Sequence, residues 1–183
     1  MTAQPVTDVI LEIGKKRVFA CAAAWPGWCR SGRSEELALE TLAAYLPRYA
    51  PVARRAGLAL PPAAADAFAV TERLPGTAGY TDFGAPGEIA AGDYDPLAGG
   101  EADRIAALVE ASFGRKIGLR HRRPAAGDEP AIAAMRSAII GALRQPPDKT
   151  APPPGGWPVR YAARRIAWHV LDHAWEIEDK SGA

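Results

Sequence analysis

Two of the three histidines in this chain of 183 residues stand four positions apart, at His169 and His173. That spacing places both imidazoles on one face of a helix. Such a pair can supply two nitrogen ligands to a divalent metal, and Glu176, on the same face, is the best candidate for a third ligand. The pattern predicts a metal or ligand site at this face, with a hydrogen-bonded histidine pair as the alternative.

The other residues of this helix indicate how it packs. At 100° per residue, its apolar side chains fill an arc of about 200°, which predicts contact on more than one side. These side chains are Ile166, Ala167, Trp168, Val170, Leu171, Ala174, Trp175 and Ile177. The histidines stand at the edge of this arc. We therefore expect a ligand cleft lined by Trp168, Asp172, Glu176 and Arg165.

The charge and composition of the chain narrow its partners. With 22 basic and 21 acidic residues, the net charge of +1 gives no general attraction to nucleic acid or anionic lipid. Residues 1–5 lack the features of a signal peptide, and no apolar stretch approaches the roughly 18 residues of a membrane span. We therefore predict a cytoplasmic protein without membrane association, in which Cys21 and Cys29 are buried free thiols.

Residues 1–75 are predicted to form an α+β module, a small antiparallel sheet with one packed helix. A hairpin joins strands over 6–13 and 17–22, and a short third strand covers 28–30. Ser34 is a good N-cap for the helix, and one further strand follows over 67–71.

The remaining chain divides into a connector and a helical region. Residues 76–100 are rich in Gly and Pro and are predicted to connect the two parts, with Tyr80, Phe83 and Tyr94 as anchors. Residues 101–183 are predicted to hold three helices, over 102–113, 130–143 and 164–179. The whole chain is therefore expected to be α+β.

The order of motifs near the N-terminus resembles the N-terminal module of HicB-like proteins. A hairpin leads to the turn Trp25–Gly27, a short strand reaches Gly32, and Ser34 begins a helix with the acidic pair Glu35 and Glu36. The resemblance covers about residues 6–50 and implies a protein partner. No ribbon-helix-helix or helix-turn-helix pattern accompanies it, so a repressor role is not expected.

The run 161–176 resembles the last helix of DinB-like proteins, four-helix bundles that include thiol-dependent transferases and isomerases. The resemblance implies that His169 and His173 bind a divalent metal, zinc or nickel, together with a third histidine from an earlier helix. Where that histidine would suit the pattern, this chain has Leu108. The remaining histidine, His121, stands among cations that disfavour a metal ion. About residues 100–179 thus resemble an incomplete, three-helix version of the bundle.

The densest cluster of charge is basic and lies between the predicted helices 102–113 and 130–143. It is better explained as a solvated loop than as a phosphate or nucleic-acid site, since no aromatic residues interleave with it. Its members are Arg115, Lys116, Arg120, Arg122 and Arg123.

Two functions fit these patterns, and the sequence leaves open whether the chain is an enzyme. The first is a non-catalytic module that binds a small ligand or a protein, with a degenerate DinB-like histidine site. The second is a DinB-like enzyme that depends on a divalent metal and uses a thiol. A small molecule, a protein or a second copy of the chain are the expected partners, and nucleic acid is not.

Overall fold

The protein is α+β, as the sequence predicts. The computed structural model describes residues 6–55, 60, 64–65, 67–95, 117, 119, 124–125, 128–144 and 156–181. These residues contain four strands and four α-helices, in two compact units, Met1–Ala90 and Ala91–Ala183. None of the helices in this part of the chain is long and apolar enough to cross a membrane.

The first unit is built on a four-stranded sheet with the order β3-β2-β1-β4. Its strands are β1 (Thr7–Ile13), β2 (Val18–Ala22), β3 (Cys29–Gly32) and β4 (Phe68–Pro75). The predicted hairpin of β1 and β2 is confirmed, and its turn is closed by a hydrogen bond from the Gly14 amide to the Arg17 carbonyl at 2.9 Å. Every residue of β2 is buried, as expected of a strand covered on both faces.

The sheet is mixed rather than antiparallel, so this detail of the prediction is wrong. β4 pairs with β1 in parallel, whereas the β1–β2 and β2–β3 pairs are antiparallel. Two antiparallel pairings give β3 the same direction as β1. The helical crossover that follows β3 then adds β4 in that direction, because a parallel neighbour requires a crossover and not a tight turn.

Two helices, not one, follow the third strand. Helix α1 (Glu35–Ala44) begins at Ser34, whose Oγ accepts a hydrogen bond from the Leu37 amide at 3.2 Å. Helix α2 (Leu46–Arg55) starts after Tyr45. The break has a local cause, since Pro47 lacks the amide hydrogen that the interior of a continuing helix needs but fits the first turn of a new one.

Trp28 joins the two helices to the sheet. Its side chain is fully buried, and its indole Nε1 donates a hydrogen bond to the Leu42 carbonyl at 2.8 Å. The indole also stacks on Tyr49 with 5.6 Å between ring centroids, and the Tyr49 hydroxyl donates to the Pro26 carbonyl. A single tryptophan thus fixes α1, α2 and the Pro-Gly turn around one point.

Cys21 and Cys29 form a disulfide, so the prediction of free thiols is wrong. Both residues are buried, as the sequence predicts. The register of β2 and β3 places them directly opposite each other. The separation of eight residues between the two cysteines does not predict this contact, because the contact depends on the register that the intervening turn gives to β2 and β3.

The residue that organises the segment after β4 is Glu12, near the end of the largely apolar strand β1. Its side chain is only 3% exposed. The Thr81 hydroxyl donates to Oε1 at 2.5 Å, the Gly87 amide donates to both oxygens, and the Glu88 amide donates to Oε2 at 2.9 Å. A buried carboxylate needs such donors, so the segment 77–88 is folded back over the sheet to supply them.

This network corrects the predicted anchors of the connecting segment. Tyr80, Phe83 and Tyr94 are all exposed, with Phe83 at 84%. The segment is held instead by Glu12 and by the fully buried Thr81. Aromatic side chains anchor a segment where they can fill an apolar cavity. Here the sheet presents the buried carboxylate of Glu12, which requires hydrogen-bond donors instead.

The second unit contains helices α3 (Glu129–Arg144) and α4 (Val159–Ser181), and both confirm predicted helices. The side chains at their contact form one apolar cluster, made of Met135, Ile139, Leu143, Ala162, Ala163 and Ile166. The predicted apolar arc of α4 holds except at Ile177, which is 64% exposed because α4 is exposed throughout after Trp175. The predicted helix 102–113, Leu108, His121 and the basic cluster lie outside the described residues.

We expect Glu12→Gln to destabilise the first unit by about 3 kcal/mol, because the amide nitrogen of glutamine would face backbone amides that now donate to a carboxylate. Asp8→Asn, an exposed position on the same strand, is the control and should change stability little. Chemical unfolding of both variants measures the difference. Equal stability of the two variants would contradict the role of Glu12.

Reduction of the Cys21–Cys29 disulfide should lower the stability of the first unit by about 2 kcal/mol, because the bond restricts the unfolded chain. Alkylation and mass spectrometry of the untreated protein should find no free thiol until it is both unfolded and reduced. The double variant Cys21→Ala/Cys29→Ala, treated identically, separates the effect of the bond from that of the reductant. Two alkylated thiols before reduction would refute the pairing.

Candidate functional site

The two histidines of helix α4 are in contact, as their spacing predicts. The ring centroids of His169 and His173 are 4.5 Å apart, and the rings meet at 78°, edge to face. His169 is half-buried, whereas the side chain of His173 is 56% exposed. The pair therefore lies at the boundary between the packed side of α4 and solvent.

Glu176 continues this face of the helix by one turn. Its Oε2 lies 3.6 Å from Nδ1 of His173, and its Oε1 accepts a hydrogen bond from Nζ of Lys180 at 2.7 Å. The hydrogen bond and charge of Lys180, with a smaller contribution from His173, lower the pKa of Glu176. Glu176 is thus a carboxylate shared between the histidine and the lysine.

The remaining predicted cleft residues line α4 near the histidines. Trp168 is buried, and the guanidinium of Arg165 lies 4.5 Å above its ring centroid. The ring of His169 is 6.2 Å from that of Trp168. Asp172 is half-buried. The helix thus presents a cation stacked on an indole beside two imidazoles, and the cleft itself stays a prediction.

The chemistry open to this face follows from its donors. Two imidazoles at i and i+4 can bind one divalent metal such as zinc or nickel at adjacent positions, and Glu176 could add Oε2 while its Oε1 stays with Lys180. Within the described ranges, no group of three or more His, Cys, Asp or Glu side chains is placed to hold a metal. In the same part of the chain, His169 and His173 provide two imidazole nitrogens, which can form two bonds to one metal ion.

A buried ion pair that the sequence analysis missed holds α4 to the 3₁₀ turn Ala91–Tyr94. Arg164 donates from Nε to Oδ1 of Asp93 at 2.8 Å and from Nη2 to Oδ2 at 2.5 Å. The Arg164 side chain is 12% exposed and that of Asp93 is 2% exposed. The sequence signal was the position of Arg164, directly after an aromatic and two small residues and two residues before Ile166. All four of these neighbours are buried in the structure, so Arg164 begins on the packed side of the helix.

The chain has no match among protein-family models, curated proteins or solved structures. The HicB-like and DinB-like resemblances therefore stay predictions that depend on the motifs themselves.

Arg164→Ala should destabilise the second unit by about 3 kcal/mol, because it leaves the Asp93 carboxylate buried without its bidentate partner. The double variant Asp93→Leu/Arg164→Met should lose less, since it removes both charges and keeps apolar volume. Lys180→Ala, in an exposed ion pair of the same helix, is the control. Chemical unfolding distinguishes these outcomes, and a double variant less stable than Arg164→Ala would contradict the explanation.

Proposed function

We propose that the protein is a non-catalytic binding module whose ligand site is the face of α4 that carries His169 and His173. One observation carries this proposal. The ring centroids of His169 and His173 are 4.5 Å apart, and Oε2 of Glu176 lies 3.6 Å from Nδ1 of His173. Nitrogen and oxygen atoms that can bind one metal ion or one polar ligand are thereby concentrated on about two turns of helix.

The exposure of this face favours binding over catalysis. The side chains of His173 and Glu176 are both more than half exposed. Charge that develops during a reaction is stabilised best by fixed dipoles in a site that excludes water, and solvent at this face would screen such an effect. Reversible binding of a ligand through imidazole nitrogens does not require that exclusion.

The surroundings of the pair suggest the kind of small ligand. Arg165, whose guanidinium lies over the buried indole of Trp168, offers a cation next to the half-buried His169. A ligand with an anionic group would gain from this cation, and so would an anion that completes the coordination of a metal held by the histidines. We therefore favour a small anionic molecule over a protein as the partner of this face.

The second candidate is a DinB-like enzyme that depends on a divalent metal and uses a thiol. The geometry of His169 and His173 favours it, because two adjacent nitrogen donors supply two of the three protein ligands that a catalytic zinc site uses. A bound zinc or nickel ion would supply a Lewis acid that polarises a thiol or carbonyl. His169 and His173 would hold it, with Oε2 of Glu176 as a candidate third donor on the same face.

We also propose that the first unit is related to HicB-like modules and the second to DinB-like bundles. The hairpin, the short strand that ends at Gly32 and the Ser34-capped helix support the first relation. The histidine helix supports the second. The order of these elements and their motifs carries both relations.

A cytoplasmic location is part of the same proposal, on the grounds of the sequence features given above. The disulfide of Cys21 and Cys29 weighs against it, because disulfides persist mainly in oxidising compartments.

Titration of the untagged protein with Zn²⁺, Ni²⁺ and a set of small aromatic carboxylates, followed by NMR of the imidazole resonances, tests the proposed site. We expect reversible shifts of His169 and His173. His169→Ala and His173→Ala should weaken binding about ten-fold or more, because each removes one of two ligands. Lys180→Ala should strengthen metal binding if Glu176 joins the site.

His121→Ala, which removes the only other histidine, is the matched control and should bind as the unchanged chain does. No shift of either imidazole with any of these probes would overturn the proposed site. A metal that resists dialysis at one ion per chain and supports transfer to a thiol would replace the binding module with the enzyme.

A further inference from the structure

The loop after β4 displays two aromatic side chains on the first unit. Phe83 is 84% exposed and Tyr80 is more than half exposed. Isolated exposed apolar residues are common on protein surfaces and by themselves indicate nothing. The loop that carries these two, however, is held in place by an unusual number of fixed contacts.

These contacts fix the backbone on both sides of Phe83. The amides of Gly84 and Ala85 both donate to the Tyr80 carbonyl at 2.9 Å, and Gly84 has a φ of 120°, which favours glycine. Thr81 and Gly87, on either side, donate to the buried Glu12. Phe83 is therefore presented in one backbone conformation, and little ordering entropy remains to be lost when it is covered.

Cations adjoin the loop that carries the aromatic side chains. The turn between β1 and β2 exposes Lys15, Lys16 and Arg17, and the Lys16 amide donates to Oδ1 of Asp82 at 2.8 Å. This hydrogen bond ties the turn to the aromatic loop and lowers the pKa of Asp82. The guanidinium of Arg17 lies beside Gly84 and donates to the Ser31 hydroxyl at 3.4 Å.

We propose that Lys15, Lys16, Arg17, Tyr80 and Phe83, which together form the aromatic–basic surface, are the docking site for an acidic protein partner. Phe83 enters an apolar pocket of that partner, and carboxylates around the pocket pair with the three cations. Three cations against the single carboxylate of Asp82 give the charge complementarity that selects an acidic surface. This surface belongs to the first unit and the histidine face to the second, and the proposal does not depend on that face.

A folded protein fits this surface better than a membrane or a single-stranded nucleic acid. A rigid loop that projects one aromatic side chain, with a second beside it, suits a preformed pocket, where buried aromatic anchors contribute most of the binding energy. Lipid and unstacked bases accommodate mobile side chains equally well, so the fixed loop would bring them no advantage.

The first arm of the test uses defined probes on the full chain. Vesicles that contain an anionic phospholipid, a 20-nucleotide oligouridine and the chain itself at high concentration are compared for the unchanged protein and Phe83→Ala. We expect no binding or self-association that this substitution removes. Any such loss identifies lipid, nucleic acid or a second copy as the occupant and overturns the proposal. Phe83→Ala should unfold at the same temperature as the unchanged chain, because the side chain is almost fully exposed.

The second arm places a photo-crosslinking phenylalanine analogue at position 83, or at exposed position 37 on α1 as the control, in cells that produce the chain. A protein crosslinked only from position 83 is identified, purified and titrated with the chain. We expect Phe83→Ala to weaken the affinity about ten-fold or more. Lys15→Glu/Lys16→Glu should weaken it and reduce its dependence on salt, whereas Leu37→Ala should leave it unchanged.

Equal crosslinking from positions 83 and 37, or no protein from position 83, would overturn the proposal. So would a crosslinked contact without acidic residues.

Discussion

The buried carboxylate of Glu12 is the constraint on which the arrangement of the first unit depends. A charge inside a sheet is tolerated only when hydrogen-bond donors surround it, and neither neighbouring strand supplies a side-chain donor at this position. The donors come from Thr81, Gly87 and Glu88, so the segment after β4 must return to the sheet. Burial, and then the charge of Glu12, raise the pKa of Glu88.

This constraint reaches the surface through two further contacts. Asp82, next to Thr81, accepts the Lys16 amide, so the hairpin turn takes its place beside the loop. Thr81 and Asp82, between the two aromatic residues, form hydrogen bonds to Glu12 and to the hairpin turn, and Gly87 beyond them also binds Glu12. Tyr80 and Phe83 are left exposed. A single acid in a strand thus determines which side chains a partner would meet, through neighbours more than 65 positions away in the chain.

Local signals in the sequence predicted local structure well, and contacts between distant residues were not accessible to them. Ser34 as an N-cap and the contact of His169 with His173 follow from the geometry of one helix, and both are confirmed. Glu12 lies within the predicted strand 6–13, but hydrophobic periodicity cannot reveal that its hydrogen-bond donors come from residues far along the chain. The pairing of Asp93 with Arg164, across 71 positions, was missed for the same reason. Lys180, in contrast, lies four positions after Glu176, and the preference for opposite charges at i and i+4 on a helix predicts their contact.

Amide hydrogen exchange at Gly87 and Glu88 tests the central role of Glu12 most directly, because these two amides donate to its carboxylate and belong to no helix or strand. If the carboxylate holds the segment, both amides exchange only when the first unit unfolds, as slowly as amides in the centre of β1. Exchange of both at the rate of an unstructured peptide, while the amides of β1 remain protected, would contradict it.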